Sequence, residues 1–283
     1  MAKRQGANME KLKEFADSQK KGEFYNFEQG ETLVYIHPPC REDDDHEPTN
    51  GMNFIPVAVH YGIGKAKVAI SLDPVDNPII EHPFIKDALK KRRKKIKLTG
   101  KCPIKAQLEG DDWTDEEVDA AKLQMKFFWG ITPVGFRKSR KKRFVDLDDG
   151  PCVCMANATI NSGFMDAMLE YDDVSNPDEA VLVRVKRTGT GMNSKYEVTI
   201  DPETAHTPKA FSAKEKKRLF AAMENQCDLF SVVANMIRSP EEIQSLIYGV
   251  SSDDDDDEDD DAPPPKKSKK TSKSKSKSKR SKK

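Results

Sequence analysis

Residues 179–200 read EAVLVRVKRTGTGMNSKYEVTI, two alternating runs rich in β-branched residues with a glycine-containing segment between them. Such alternation of apolar and polar residues predicts two half-buried strands. Gly189 and Gly191 tolerate positive φ and therefore favour a tight connection. The stretch predicts a β-hairpin, and a GxG between two strands indicates a turn rather than a phosphate-binding loop.

More strands are predicted upstream, because alternating β-branched and aromatic residues end at Gly or Pro. They are GETLVYIHPP at 30–39, FIPVAVHYG at 54–62, KVAISLDP at 67–74, MKFFWGITPVGF at 125–136, RFVDL at 143–147 and CVCMA at 152–156. The fourth and fifth form a hairpin whose connection, RKSRKKR, is strongly basic.

Helical patterns surround these strands. Apolar spacing predicts a short helix over 9–21, the capping pattern TDEE at 114–117 predicts another over VDAAKLQ at 118–124, and Asn161 is expected to open a third. Ser212 with Glu215, and Ser239 with Glu242, are capping signals for helices near 213–235 and 240–248. The sequence thus predicts an α+β protein with an N-terminal basic and helical arm at 1–22, a core at 23–210, a helical segment at 211–250 and a disordered tail at 251–283.

The net charge of zero conceals a strong segregation of charge in this tail. Residues 253–261 are nine acids, and residues 266–283 contain eleven Lys or Arg among serines. Low-complexity charged sequence of this kind cannot bury a core. The remaining 37 bases and 39 acids nearly balance. Only local clusters of charge can therefore indicate a nucleic-acid partner.

The composition also restricts the compartment. The polar N-terminus has no apolar signal region, and no apolar run is long enough to span a membrane. Five scattered cysteines do not form a disulfide framework, which favours a reducing compartment. We expect a soluble protein of the cytoplasm, and the nucleus is the alternative because the basic tail resembles a nuclear-targeting segment.

Two basic clusters, residues 90–97 and 137–143, alternate with strands rich in aromatic residues. Single-strand binding requires this combination, because cations follow phosphates while rings stack on bases. No nucleotide-binding or hydrolase motif is present, which favours a non-enzymatic protein without a cofactor. The residues expected to meet phosphates are Lys90, Lys91, Arg92, Arg93, Lys94, Lys95, Arg137, Lys138, Arg140, Lys141, Lys142, Arg143, Arg184, Lys186, Arg187 and Lys195. The rings expected to stack on bases are drawn from Tyr61, Phe128, Trp129, Phe136 and Tyr196.

The order of these segments over residues 9–202 resembles the single-stranded DNA-binding proteins of tailed bacteriophages, the T-even helix-destabilising class and its relatives. The motif in 180–200 is similar to the final barrel hairpin of that family, and GETLVYIHP, VAVHYG and KFFWGITPV are similar to other strands. The resemblance implies a five-stranded OB-type β-barrel core with flanking helices that coats single-stranded DNA in replication, recombination or repair.

The T-even branch holds a zinc ion with one His and three Cys, and the resemblance extends to only part of that set. His60 and Cys102 fit, whereas Ser71 and Lys105 stand where thiolates are expected. Zinc needs four soft or borderline ligands, and an ammonium group is not one. Cys152 and Cys154 are possible substitutes, although two residues apart on a strand they are more typical of a packed face.

Two other classes of function remain open. In the first, an interaction protein of a chromatin-like or histone-binding kind, the acidic run binds basic proteins and the basic tail binds duplex DNA. In the second, a nuclease uses scattered carboxylates. For a single-strand binder, we expect self-association on DNA, and the acids at 253–261 are a candidate docking site for replication or recombination proteins.

The incomplete ligand set predicts that the purified protein lacks stoichiometric zinc. Its melting temperature should be unchanged by a chelator, because no folding energy comes from a metal. One zinc per chain by elemental analysis would contradict this expectation, and Cys152 and Cys154 would then be the ligands to replace.

The two charged runs predict an ordered series of single-strand affinities. A flexible chain holds neighbouring segments at about millimolar effective concentration, so the acids and bases should neutralise each other at low salt. At about 50 mM salt, removing 266–283 should weaken binding, because the acids are released to compete for the DNA-binding surface. Removing 253–283 should recover much of that loss. If the longer deletion binds no better than the shorter one, the acids do not inhibit binding.

Overall fold

In the computed structural model, the residues described are 24–40, 47, 49–61, 68–92, 96, 98, 100–108, 114, 118, 121–139, 142–146, 150–171, 174–176, 181–201 and 212–248. At 135–139, 142–146, 192 and 248 the description is of the backbone alone. The chain divides into two units, 1–250 and 251–283, and all described residues belong to the first. The helix expected at 9–21 lies outside the described residues. Of the helix expected over 118–124, Val118 is helical, whereas Leu123 and Gln124 belong to a strand, so this helix is shorter than expected.

The fold is mixed α+β, with its elements in the following order along the chain. The strands are β1 (Gly30–Ile36), β2 (Phe54–Tyr61), β3 (Val68–Ile70), β4 (Leu123–Ser139), β5 (Lys142–Asp146), β6 (Cys152–Ala156), β7 (Val183–Thr188) and β8 (Lys195–Ile200). The helices are α1 (Pro83–Lys90), α2 (Pro103–Leu108), α3 (Ala158–Glu170), α4 (Ala213–Glu224), α5 (Leu229–Met236) and α6 (Pro240–Tyr248), with short 3-10 turns at Pro78–Glu81 and Gly191–Asn193.

Seven strands form an open antiparallel sheet around the long strand β4, and β5 pairs with its far end. The hydrogen-bonded order is β3-β2-β4-β1-β7-β8, and β6 also pairs with β4. Residues 127–129 of β4 pair with β2 on one edge and with β6 on the other. No pairing among the described residues joins β8 to β6 or to β3, so the described sheet is open.

Alternation along β4 fills two separate cores. Phe128 packs with Ile55, Val57 and Val153 beneath α1 and α5, whereas Trp129 packs with Val34, Ile131 and Phe164 beneath α3. Consecutive side chains of a strand point to opposite faces, so the adjacent aromatics of KFFWG must separate in this way. A third, smaller cluster on the other side of β1 joins Tyr35 and Val134 to Leu219 of α4.

Helix α3 packs tightly against β8. A Cβ atom added at Gly163 would lie 2.3 Å from Cβ of Val198, which only a glycine avoids. The helix begins after Asn157, whose side chain accepts a hydrogen bond from the Ile160 amide at 2.9 Å. The expectation that Asn161 opens the helix is therefore wrong, since Asn157 supplies the cap and the Asn161 side chain lies within the helix.

Other local predictions are confirmed. Gly189 and Gly191 have φ of +78° and +57° in the β7–β8 connection. Ser212 and Glu215 form a reciprocal capping box, and Ser239 and Glu242 make the same pair of contacts. The helix expected over 213–235 is divided in two, because Asp228 caps a new helix, α5, with its carboxylate. Within the described residues no helix is long and apolar enough to cross a bilayer.

His37, one residue past β1, is 1% exposed and lies in a polar contact between strands. Its Nε2 is 2.7 Å from Oγ1 of Thr132, and its backbone carbonyl accepts a hydrogen bond from Asn53. Burial lowers the pKa of His37 from 6.5 to about 4, because the charged imidazolium is poorly solvated there. Between those two values the unfolded chain binds a proton that the folded chain does not.

Stability should therefore fall as the pH drops from 6.5 towards 4, with about 3 kcal/mol of this loss due to His37. Replacing His37 with Gln removes the titrating group and keeps an amide that can hydrogen-bond to Thr132. Urea unfolding at several pH values should show that the difference in free energy of unfolding between wild type and His37→Gln becomes smaller as the pH falls. Parallel curves for the two proteins would show that His37 is protonated equally in both states.

Candidate nucleic-acid interface

The strand register brings two of the predicted basic elements to one end of the sheet. Gly30 of β1 pairs with Arg187 of β7, and Leu33 pairs with Val134 of β4. Because β1 runs antiparallel to both neighbours, the direction from Leu33 to Gly30 is also the direction from Val134 towards the β4–β5 hairpin. Strands on either side of β1 are about 10 Å apart. We call this end of the sheet the basic end: residues 137–143 with Lys186, Arg187 and Lys195.

The hairpin at the basic end concentrates like charge. Lys138 lies directly opposite Arg143 in the β4–β5 ladder. Arg137 lies opposite Phe144, and Lys142 lies opposite Ser139. Like charges directly opposite each other destabilise a strand pair. A bound polyanion would stabilise such a hairpin by reducing this repulsion. The side chains of Phe136, Arg137, Lys138, Lys142 and Arg143, and all of Arg140 and Lys141, lie outside the described structure.

The β7–β8 hairpin divides its cations between structural and exposed positions. Arg187 donates to the carbonyl of Phe27 at 2.6 Å and to Oγ of Ser194, and its guanidinium carbon lies 5.9 Å from the ring centroid of Tyr196. Lys186 and Lys195 are exposed, and the nearest carboxylate recorded for Lys186 is that of Glu197 at 4.0 Å. The two lysines are thus the described cations of this hairpin that are most accessible to phosphates.

Arg184 has a structural role instead. Its Nη2 donates to the buried carboxylate of Asp201 at 2.7 Å, and its Nη1 lies 3.8 Å from Glu31. Removing one partner of a buried charge pair leaves the other uncompensated. Arg184 is thus already paired with carboxylates and is less available to a phosphate than the exposed lysines, and its contact with DNA stays a prediction.

Two of the predicted stacking residues are wrong. Phe128 and Trp129 are both 0% exposed, and Trp129 donates from Nε1 to the Asn161 amide oxygen at 2.9 Å. Rings enclosed in the two cores cannot offer a face to a base. A Trp129→Ala variant would therefore report on the stability of the fold and not on stacking.

Tyr61 and Tyr196 remain partly exposed. Tyr61 donates to the sulfur of Met155 at 4.0 Å, and Nζ of Lys126 lies 5.1 Å from the centroid of its ring. Burial raises the pKa of Tyr61 and lowers the pKa of Lys126. Lys126 was missed in the sequence because it stands alone between apolar residues. The register that places it opposite Val57 puts it on the same face as Tyr61, and its long side chain reaches the tyrosine ring.

The basic run at 90–95 begins at the end of α1, on the face covered by α5. Lys90 and Lys91 are exposed, and Lys90 pairs with Asp87 at 3.0 Å. Arg92 donates to the carbonyls of Ala234 and Ile237 at the end of α5, so it stabilises that helix end. Arg93, Lys94 and Lys95 lie outside the described residues. Lys91 and Arg92 also line a cavity of about 360 Å³ with Phe84, Asp87, Ala88, Ser231 and Asn235.

His60 and Cys102 do meet, but their surroundings do not fit zinc. Nε2 of His60 lies 3.6 Å from Sγ of Cys102, and Nδ1 contacts the carbonyl of Ala121. Lys105 binds Asp73 and Asp76 at 3.2 and 2.9 Å. In the described part of the chain no three His, Cys, Asp or Glu residues are grouped to hold a metal. Cys152 and Cys154 pack in the core beneath α3.

The contact between His60 and Cys102 changes the pKa values of both side chains. Burial would raise the pKa of Cys102, but hydrogen bonds from His60 and from the amides of Leu72 and Lys105 hold it at about 7. Burial would lower the pKa of His60, yet its contacts with Cys102 and Ala121 leave it raised. Both residues are at most 3% exposed. The pair is therefore closed to a substrate in this conformation.

No protein-family model matches this chain, and no curated protein matches it either. The resemblance to the phage single-strand binders therefore stands on the residues quoted above, and the geometry of the basic end is an independent observation.

Proposed function

We propose that the protein binds single-stranded DNA, without turnover, on an OB-type barrel. Five strands are hydrogen-bonded in the order β6-β4-β1-β7-β8. Helix α3 lies between β6 and β7, which are the third and fourth of these five strands in the sequence. Both features support the barrel assignment, since an OB fold is a partly open five-stranded Greek-key barrel. The barrel itself requires β6 and β8 to approach each other.

The observation that carries the function is the basic end of the sheet. OB folds bind oligonucleotides on the face of their second and third strands and on the loops after the first and fourth. In this chain those elements are β4 and β6, residues 90–95 in the connection between β1 and β4, and the β7–β8 turn. Lys90 and Lys91 begin the basic run of that connection, Lys186 and Lys195 flank the β7–β8 turn, and the half-buried Lys126 lies on β4. Cations therefore occur where an OB fold would place a nucleic-acid strand.

Base stacking would use the partly exposed tyrosines. Tyr61 lies beside Lys126 and Met155, next to the second and third barrel strands, and Tyr196 lies beside Arg187 in the β7–β8 hairpin. Stacking on aromatic rings is tolerant of sequence because every base has a π face. We therefore propose coating and protection of single strands with little sequence preference, as in replication, recombination or repair.

The phage resemblance adds three proposals. The chain would act in the host cytoplasm, would associate with itself along DNA, and would present residues 253–261 to replication or recombination proteins. Each follows from the family resemblance together with the acid run of the tail.

Competition between oligo-dT and a duplex of equal length at matched salt tests this function. Fluorescence anisotropy should show clear preference for the single strand, since stacking needs unpaired bases. The double variant Lys186→Gln/Lys195→Gln should bind oligo-dT more weakly and should lower the slope of log affinity against log salt by about 1.4, the value for two phosphate contacts.

A charge-matched control is the double variant Lys101→Gln/Lys122→Gln, in which both lysines are exposed and belong to neither basic cluster. It should leave the salt slope nearly unchanged. Equal affinity for the duplex would overturn single-strand binding and favour the interaction-protein alternative, in which the tails bind partners nonspecifically.

A further inference from the structure

Helix α4 approaches the basic end from the outer side of β1. Leu219, in the middle of α4, packs with Leu33, Tyr35 and Val134. Gln226, two residues past the helix, donates to the carbonyl of Pro39 at 3.5 Å, beyond the other end of β1. The helix therefore runs parallel to β1, and its first turn points back towards Gly30 and the basic end.

The outward face of this first half is cationic. Leu219 and Ala222 are buried, which places Lys214, Lys217 and Arg218 on the opposite, exposed face at spacings of three and four residues. Glu215, the acid of the first turn, is bound in the capping box with Ser212. Lys214 lies about 7.5 Å before Leu219 along the axis, in the direction of the basic end.

The position of these lysines is unfavourable for the isolated helix. Cations near a helix N-terminus are repelled by the positive end of the helix dipole, and they are stabilising near the C-terminus instead. In α4 Lys214 and Lys217 occupy the first two turns, and no basic residue lies in the last turn. An anionic partner would reverse this cost, because it adds negative charge where the dipole favours it.

We propose that the outward face of α4, with Lys214 and Lys217, extends the phosphate-binding surface beyond the barrel. The strand bound at the basic end continues across the outer side of β1 onto α4. This proposal rests on the proposed function and adds a contact outside the OB elements. The hairpin at 137–143 is the neighbouring element, because Val134 contacts Leu219 and lies three residues before Arg137.

The test uses the full-length chain with the double substitution Lys214→Gln/Lys217→Gln, compared with Lys101→Gln/Lys122→Gln, which removes the same charge elsewhere. The α4 variant should lower the salt slope for oligo-dT by about 1.4, so between about 50 and about 200 mM salt it should lose about sevenfold less affinity than wild type. Its melting temperature should be unchanged or higher, because the repulsion with the helix dipole is gone. The control should match the wild-type slope.

The two proposals fail differently. If wild type shows no preference for single strands, the proposed function is wrong; if wild type prefers single strands but the α4 variant has the wild-type salt slope, only the contact with α4 is wrong.

A second background distinguishes DNA from the acidic run as the partner of α4. In a chain of the same length with the acids at 253–261 changed to Asn and Gln, the α4 substitutions should still lower the slope. If the effect disappears in that background, the lysines of α4 hold the acidic run instead of DNA, and the proposal is overturned.

Discussion

The pairing of β4 on both edges constrains the rest of the structure. Over residues 127–131 this strand is hydrogen-bonded to β6 on one edge and to β2 or β1 on the other, so its backbone cannot rotate or slip. A slip by one residue would exchange Phe128 and Trp129 between the two cores. The hydrogen bond from Trp129 to Asn161 then fixes α3 against the same strand. Both cores, and through them α1, α3 and α5, therefore depend on a single register.

That register also determines where the charges lie. The β4–β5 and β7–β8 connections are about fifty residues apart in sequence, yet they share one end of the sheet because β1 pairs with both β4 and β7. Helix α4 runs alongside β1 in the same direction, since Leu219 and Gln226 contact successive parts of β1 and its extension, so its N-terminal turn points towards the same end. Three basic elements are thus directed to one end of the sheet by their backbone positions.

The sequence predicted the elements whose local signals are strong, and it was less successful where tertiary contacts decide. The β7–β8 hairpin and the capping boxes of α4 and α6 follow from alternation, glycine and side-chain caps acting within a few residues. Helix α1 was missed because its lysines resemble a solvated basic run, although Ile85 and Leu89 are buried. Phe128 and Trp129 were assigned to stacking because aromatic composition does not reveal which faces of a sheet are covered. Lys126 and α4 became candidates only when strand pairing and helix direction were known.

Several of the described cations differ in role by residue type, although Arg218 and Arg238 are exposed like the lysines. Arg92, Arg184 and Arg187 each use several guanidinium donors on protein carbonyls, a hydroxyl or carboxylates, whereas Lys91, Lys195 and Lys217 are exposed. Arginine has a planar fork suited to fixed bidentate contacts, and lysine is a mobile point charge. Accessible lysines can follow a phosphate backbone, and arginines already held by protein groups are less available to read a base edge. Under the proposed function, this difference among the described residues would favour binding that depends strongly on salt and weakly on sequence.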